Sequence, residues 1–223
     1  MGLSASDPGY AETSLWSGLI SVIICTKDRP DDVARAVELI RTSGEIGRAV
    51  EIVVVEEADA PRDFPGVRYV HLAREGRGFG HARNVGVEAA RGEVLVFVDD
   101  DCEVEPGWLE NLTAPLCQKR EILGGAGAVL VRRCGLIGYA ESILGFPGGG
   151  LRYLDACGGE IVATRYLSTC NCAYRRETLV GVGGFAEDAV FGGEDYLVGQ
   201  RVAARGTCVY TPRAIVYHRP RGA

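Results

Sequence analysis

Three aspartates in a row, Asp99-Asp100-Asp101, follow directly on Val94-Leu95-Val96-Phe97-Val98. Five consecutive apolar residues predict a strand covered on both faces, so the acids are released at its end. Adjacent carboxylates repel one another and raise one another's pKa unless a cation compensates. Hard divalent ions, in turn, take oxygen ligands from a few carboxylates together with substrate phosphates. A metal-phosphate site is therefore one reading of the triplet, and a solvated acidic turn is the other. A second acidic pair, Glu194-Asp195, follows Phe191-Gly192-Gly193 at the start of a predicted helix, where it serves either as a cap or as a catalytic base. A third segment, Gly76-Arg77-Gly78-Phe79-Gly80-His81-Ala82-Arg83-Asn84, sets a glycine-rich loop before a helix whose first turns carry Arg83 and Asn84. His81 stands where a G-x-G-x-x-G fingerprint needs its last glycine, and no Walker-type G-K-[ST] occurs.

The hydrophobic periods around these residues predict what positions them. Ile20 to Cys25 reads as a strand, and Pro30-Asp31-Asp32 opens a helix carrying Val33, Ala34, Val37, Leu39 and Ile40. Strands are expected at Glu51 to Val55, Val67 to Leu72 and Val94 to Val98, and near Ala128 to Val131, with short ones flanking Pro212. Helices are expected at Gly80 to Ala90, Trp108 to Cys117, Arg176 to Val182 and about Asp195 to Ala204. Such alternation gives an α/β fold with a mixed, mostly parallel sheet flanked by helices, whose ligands gather beyond the carboxyl ends of the strands. Residues 1–18 read as a flexible arm and 19–223 as one domain. Met1 to Ser6 fits an N-myristoylation pattern but reads as a polar leader.

Composition narrows the partners. A net charge of -6 over 223 residues argues against nucleic-acid binding, which needs basic side chains to neutralise phosphates. No apolar run approaches the roughly 20 residues of a membrane-spanning helix. Eight cysteines without a C-x-x-C pair read as reduced thiols, and Cys170 and Cys172 as packing rather than ligands. The expected location is the cytoplasm, at its furthest the inner face of the membrane. Leu136, Ile137, Tyr139, Ile143, Leu144 and Phe146, in the patternless stretch from Cys134 to Ser168, read as core or interface, with a lipid-linked acceptor and peripheral membrane contact as the alternative. Nothing in the sequence sets an oligomeric state.

From Ser21 to His218 the ordered motifs resemble glycosyltransferase family 2. The opening strand and loop are Ser21-Val22-Ile23-Ile24-Cys25-Thr26-Lys27-Asp28-Arg29-Pro30, A-R-N-x-G is Ala82-Arg83-Asn84-Val85-Gly86, and D-x-D is Asp99-Asp100-Asp101. Cys170 to Arg176 is similar to the family's small-residue, Asn, Arg-Arg segment. Gly183-Gly184-Phe185, Glu194-Asp195, Arg201 and Tyr217-His218 follow in order. One departure is Glu56-Glu57, where the family usually carries paired aspartates.

The resemblance implies a GT-A fold and an inverting, metal-dependent transfer from a nucleotide-diphosphate sugar, UDP-sugars favoured, to a glycan or lipid-linked acceptor. It implies donor binding by Thr26, Asp28, Arg29, Glu57, Arg83, Asp99, Asp100 and Glu194. It further implies Mn²⁺ or Mg²⁺ on Asp99, Asp101 and His218, and Asp195 as general base. His71 and His81 are read as structural. Two rivals share parts of this reading. A sugar-phosphate nucleotidyltransferase would carry a glycine-rich, basic first loop, absent from Thr26-Lys27-Asp28-Arg29-Pro30. A non-catalytic nucleotide-sugar-binding protein would have no need of Asp99, Asp101 and Asp195.

Overall fold

The computed structural model describes residues 18–44, 47–131, 150–189 and 192–219, with 135, 136, 140 and 143 as isolated positions. The expected arm, Cys134, Phe191 and the apolar residues Ile137, Tyr139, Leu144 and Phe146 lie outside the described residues. Nine strands form one sheet among them. Its first half is parallel: β1 (Ile20–Lys27) lies between β2 (Val50–Glu57) and β4 (Val94–Val98), and β3 (Arg68–Leu72) adds the outer edge. The run Ile20 to Ile24 alternates between two cores. Ile20, Val22 and Ile24 pack with α1 (Pro30–Thr42) and α3 (Trp108–Gln118), while Ile23 packs on the other face with α2 (Gly78–Ala89). The residues from Ile20 to Ile24 are therefore all buried, which is why periodicity shows a continuous apolar run.

The second half departs from the expected pattern. β8 (Asn171–Arg175) runs antiparallel between β4 and β6 (Ile122–Val131), and β9 (Thr207–His218) lies parallel to β6. Short β5 (Cys102–Val104) and β7 (Val162–Ala163) pair with β9 antiparallel. Helices α4 (Leu151–Ala156), α5 (Arg176–Gly181) and α6 (Glu194–Ala203) complete the described elements. β6 begins six residues before the expected strand, because its glycines read as loop while the structure needs them for close packing. A Cβ on Gly125 would meet the Leu112 carbonyl at 3.2 Å. The two short strands expected around Pro212 are one strand interrupted by a bulge, since Gly127 faces Thr211 but Ala128 faces Ile215. Asn171 closes the gap from within by donating to the carbonyls of Ala128 and Ala214 at 2.9 and 2.8 Å, and it accepts the Trp108 indole N–H at 2.8 Å.

Candidate active site

Because β1, β2 and β4 are parallel and in register, Lys27, Glu57 and Val98 leave the sheet at the same end. β8 starts there and β9 finishes there, since Asn171 pairs with Val98 and His218 with Cys102. Topology thus brings together Thr26 to Arg29, Glu56-Glu57, Asp99 to Asp101, Cys170 and His218. A cleft of about 980 Å³ beside Ala49, Val50 and Gly66 lies at the opposite end of β2 and touches none of these residues.

The three aspartates diverge toward different partners. Asp100 is only 2% exposed, accepts the Thr26 hydroxyl, and lies 3.0 Å from the Arg29 guanidinium. Burial pushes its carboxyl up to about 6, against the lowering pull of Thr26 and Arg29 and with smaller raising contributions from Asp101 and Asp99. Asp100, expected among the donor-binding residues, turns one oxygen to Thr26 and the other to Arg29. Asp101 also meets Arg29 at 3.0 Å, and its other oxygen lies 3.4 Å from His218 Nε2. Asp99 is the most exposed of the three, accepts the Cys170 thiol at 2.9 Å and lies 3.8 Å from Arg83. The cluster thus carries its own cations: Arg29 and Arg83 offset the repulsion that the sequence reading assigns to a divalent ion.

Across the cleft, α6 begins at Gly193, whose φ of 91° places it in the left-handed region that glycine tolerates. Glu194, at the first turn, is buried and pairs with the buried Arg83. Burial alone would lower the Arg83 pKa, but Asp99, Cys25, Glu194 and Asp195 raise it, so the guanidinium stays charged. Its flat face rests between Phe79 and Phe185, 5.5 and 5.9 Å from the ring centroids. The second Glu194 oxygen, Oε2, has no hydrogen-bond partner. Asp195 accepts the amides of Tyr196 at 2.7 Å and Thr169 at 3.4 Å. One contact is with its own helix N-terminus and the other with the strand-entry loop, so the cap and site readings meet in this residue.

On the β2 side, Glu56 is fully buried between Arg62 and the Tyr69 hydroxyl, which donates at 2.8 Å. Glu57 lies nearer the surface against Lys27 at 2.7 Å. Asp28, with a φ of 52°, pairs with Arg62 at 3.4 Å and with Arg74. Aspartate tolerates this left-handed geometry better than most residues. His71 bonds the Ala58 carbonyl and His81 lies beside Glu187, both in structural settings.

The Glycosyl transferase family 2 pattern matches residues 21–133, and that of Glycosyl transferase family 21 matches residues 82–220. The chain belongs to glycosyltransferase family 2. Uncharacterized protein y4gI of Sinorhizobium fredii is 30% identical over 241 residues, an alignment covering 94% of this chain and 26% of that protein. A glucosyl-dolichyl phosphate glucuronosyltransferase of Haloferax volcanii is 32% identical over 42% of this chain and 32% of its own length. This chain therefore spans about a quarter to a third of these relatives. Its fold matches that of GalNAc-T7 with UDP, GalNAc and Mn²⁺, with TM-score 0.70, 19% identity, and coverage of 92% of this chain and 44% of that one. It also matches the mannosyltransferase PcManGT of Pyrobaculum calidifontis with GDP-Man and Mn²⁺, with TM-score 0.67, 20% identity, and coverage of 94% and 59%. The fold is that of the GT-A glycosyltransferases.

The family 2 motifs have physical roles in this glycosyltransferase. Within Ala82 to Gly86, Arg83 enters the cleft, Asn84 exchanges hydrogen bonds of 2.9 and 3.0 Å with the Phe185 backbone, and Gly86 lets α2 close on β1, where a Cβ would meet Ile23 at 2.6 Å. Arg201 holds the carbonyls of Val182 and Gly184 at 2.8 and 2.6 Å, so it secures the Gly183-Gly184-Phe185 turn. Sequence reasoning missed Cys170, which no metal or redox spacing marks, and the paired phenylalanines flanking Arg83. For a divalent ion the donor set fits in part. Asp101 and His218 converge, Asp99 stands at the rim, and carboxylate oxygen with imidazole nitrogen suits Mn²⁺ well. Among the described residues no group of three or more His, Cys, Asp or Glu side chains is placed to hold a metal ion by itself. The ion would draw its remaining ligands from a diphosphate and water.

Proposed function

We propose that this chain is an inverting glycosyltransferase that moves a sugar from a nucleotide-diphosphate donor, a UDP-sugar by preference, to a hydroxyl of a glycan or lipid-linked acceptor. The observation that carries the proposal is the gathering at one sheet end of Asp101 with His218 and of Asp99 with the buried Arg83, which pairs in turn with Glu194 next to Asp195. Asp99, Asp101 and His218 would hold Mn²⁺ or Mg²⁺. When bound, that ion supplies Lewis-acid stabilisation of the departing diphosphate. Thr26, Asp28, Arg29 and Glu57 line the β1–β2 side, where the nucleoside belongs in this reading. Lys27, Arg62 and Arg74 offset the Glu57, Glu56 and Asp28 carboxylates along that rim.

Arg83 orients Asp99 and Glu194, both on the donor side of the site in this reading. Asp195, fixed by two backbone amides, takes the proton from the acceptor hydroxyl. That oxygen bonds the anomeric carbon from the side opposite the diphosphate, and the nucleoside diphosphate leaves. UDP is named with one structural neighbour and GDP-Man with the other, so the base is open to a donor screen. The test is donor turnover over a panel of UDP-, GDP- and dTDP-sugars with and without Mn²⁺, with the anomeric configuration of the product read by NMR. Metal-dependent release of nucleoside diphosphate with inversion supports the proposal. Pyrophosphate release from NTP and sugar phosphate would instead establish a nucleotidyltransferase.

A further inference from the structure

Two tyrosines unused by this mechanism stand beside its proposed base. Tyr166 and Tyr196 are 49% and 51% exposed, with ring centroids 6.4 Å apart and planes tilted by 51°. Tyr196 follows Asp195 directly on α6, while Tyr166 lies on the segment that leads to β8 and runs along α6. That segment is fixed rather than loose. Gln200 donates to the Arg165 carbonyl at 3.1 Å, the Tyr166 amide donates to the Thr164 hydroxyl at 3.1 Å, and Leu167 is locked in the core. Three residues on, the Thr169 amide reaches Asp195. Burial raises the Tyr166 phenol's pKa and the nearby Asp195 carboxylate raises it further, which puts the ring within electrostatic reach of the base.

Resting on the transferase reading, we infer that Tyr166 and Tyr196 form a stacking platform for a pyranose ring of the acceptor and present one of its hydroxyls to Asp195. A pyranose has an apolar face of ring C–H groups and an edge of hydroxyls. The tyrosines match both, with a flat apolar ring and a polar tip. A hydrocarbon chain would match only the first, and it would press apolar surface against a carboxylate that needs hydrogen-bond donors, a costly arrangement. The acceptor class at this subsite is thus carbohydrate, whatever carries the sugar beyond it.

Saturation-transfer NMR with methyl glucoside, galactoside, mannoside and N-acetylglucosaminide, each in both anomers, in the presence of UDP and Mn²⁺, tests the platform directly. At least one pyranoside should receive saturation at its ring protons. Tyr166→Ala or Tyr196→Ala should weaken binding by about tenfold, while each Tyr→Phe variant stays within about threefold of the parent. Absence of saturation for every pyranoside, or signals unchanged in both alanine variants, overturns the inference. So does tyrosine-dependent binding to vesicles of phosphatidylglycerol with polyprenyl phosphate in place of any pyranoside. A melting temperature still raised by UDP with Mn²⁺ in the alanine variants separates loss of the platform from loss of the fold. A parent protein that binds pyranosides yet neither binds UDP nor consumes any donor would keep the platform and remove the transferase reading.

Discussion

The amides of Tyr196 and Thr169 fix the Asp195 carboxylate. Positioned proton transfer contributes about 10²- to 10⁴-fold to a rate, so Asp195→Asn should depress turnover by that order with donor affinity changed by less than about threefold. Steady-state kinetics alongside nucleotide titration reads both quantities. Glu194 has a different part, since removing it leaves the buried Arg83 with Asp99, at 3.8 Å, as its remaining ion pair among the described residues. Breaking a buried pair from one side costs about 3–5 kcal/mol, and Asp99 places Glu194→Ala toward the lower end. Urea unfolding of the variant measures that loss. Asp99, Asp101, Glu194 and Asp195 stand out in the sequence because acids beside an apolar run or a glycine pair are chemically conspicuous. Their partners are not. Arg29 reaches Asp101 across 72 residues, and Cys170 reaches Asp99 across 71, separations that no local pattern encodes.

At the scale of elements, one buried amide reconciles α3, β6, β8 and the β9 bulge. Asn171→Ala would strand the Ala128 and Ala214 carbonyls and the Trp108 indole N–H together, with each unsatisfied buried group costing about 1–3 kcal/mol. A loss of at least about 3 kcal/mol is expected in denaturant titrations, and Asn171→Asp, which retains the acceptor but not the donors, should recover little of it. Gly86→Val would drive a branched side chain into Ile23 and Val55, separating α2 from the sheet and displacing Arg83 with it. Stability should fall by about 1–3 kcal/mol and donor binding should weaken in parallel. β1, β2 and β4 are legible from sequence because burial on both faces leaves unbroken aliphatic runs. The first half of β6 and all of β8 are not, because close approach of their neighbours selects Gly124, Gly125, Gly127, Cys172 and Ala173, residues whose small size reads as loop.

The whole molecule sandwiches one sheet between two apolar layers, and its thiols are part of those layers. Burial pushes Cys208 up to about 11 and Cys172 well above its ordinary value of 9.0. Above pH 9 such a thiol ionises in the unfolded chain while remaining protonated in the fold, so stability falls as pH rises, by about 1.4 kcal/mol per unit for each thiol. Below pH 9 both states keep the proton and the dependence vanishes. Unfolding curves at pH 8 and 10.5 should show the loss, and Cys208→Ala should be flatter by one thiol's share. In the proposed function, the acids and arginines where β1, β2, β4 and β9 end together hold a metal-bound diphosphate. Isothermal titration of UDP and GDP into the protein, with Mn²⁺ and then with chelator, tests it most directly. At least one nucleotide should bind with Mn²⁺, lose that binding in chelator, and lose it equally in Asp101→Asn. Binding that ignores both the metal and Asp101, or no binding of either nucleotide, would contradict it.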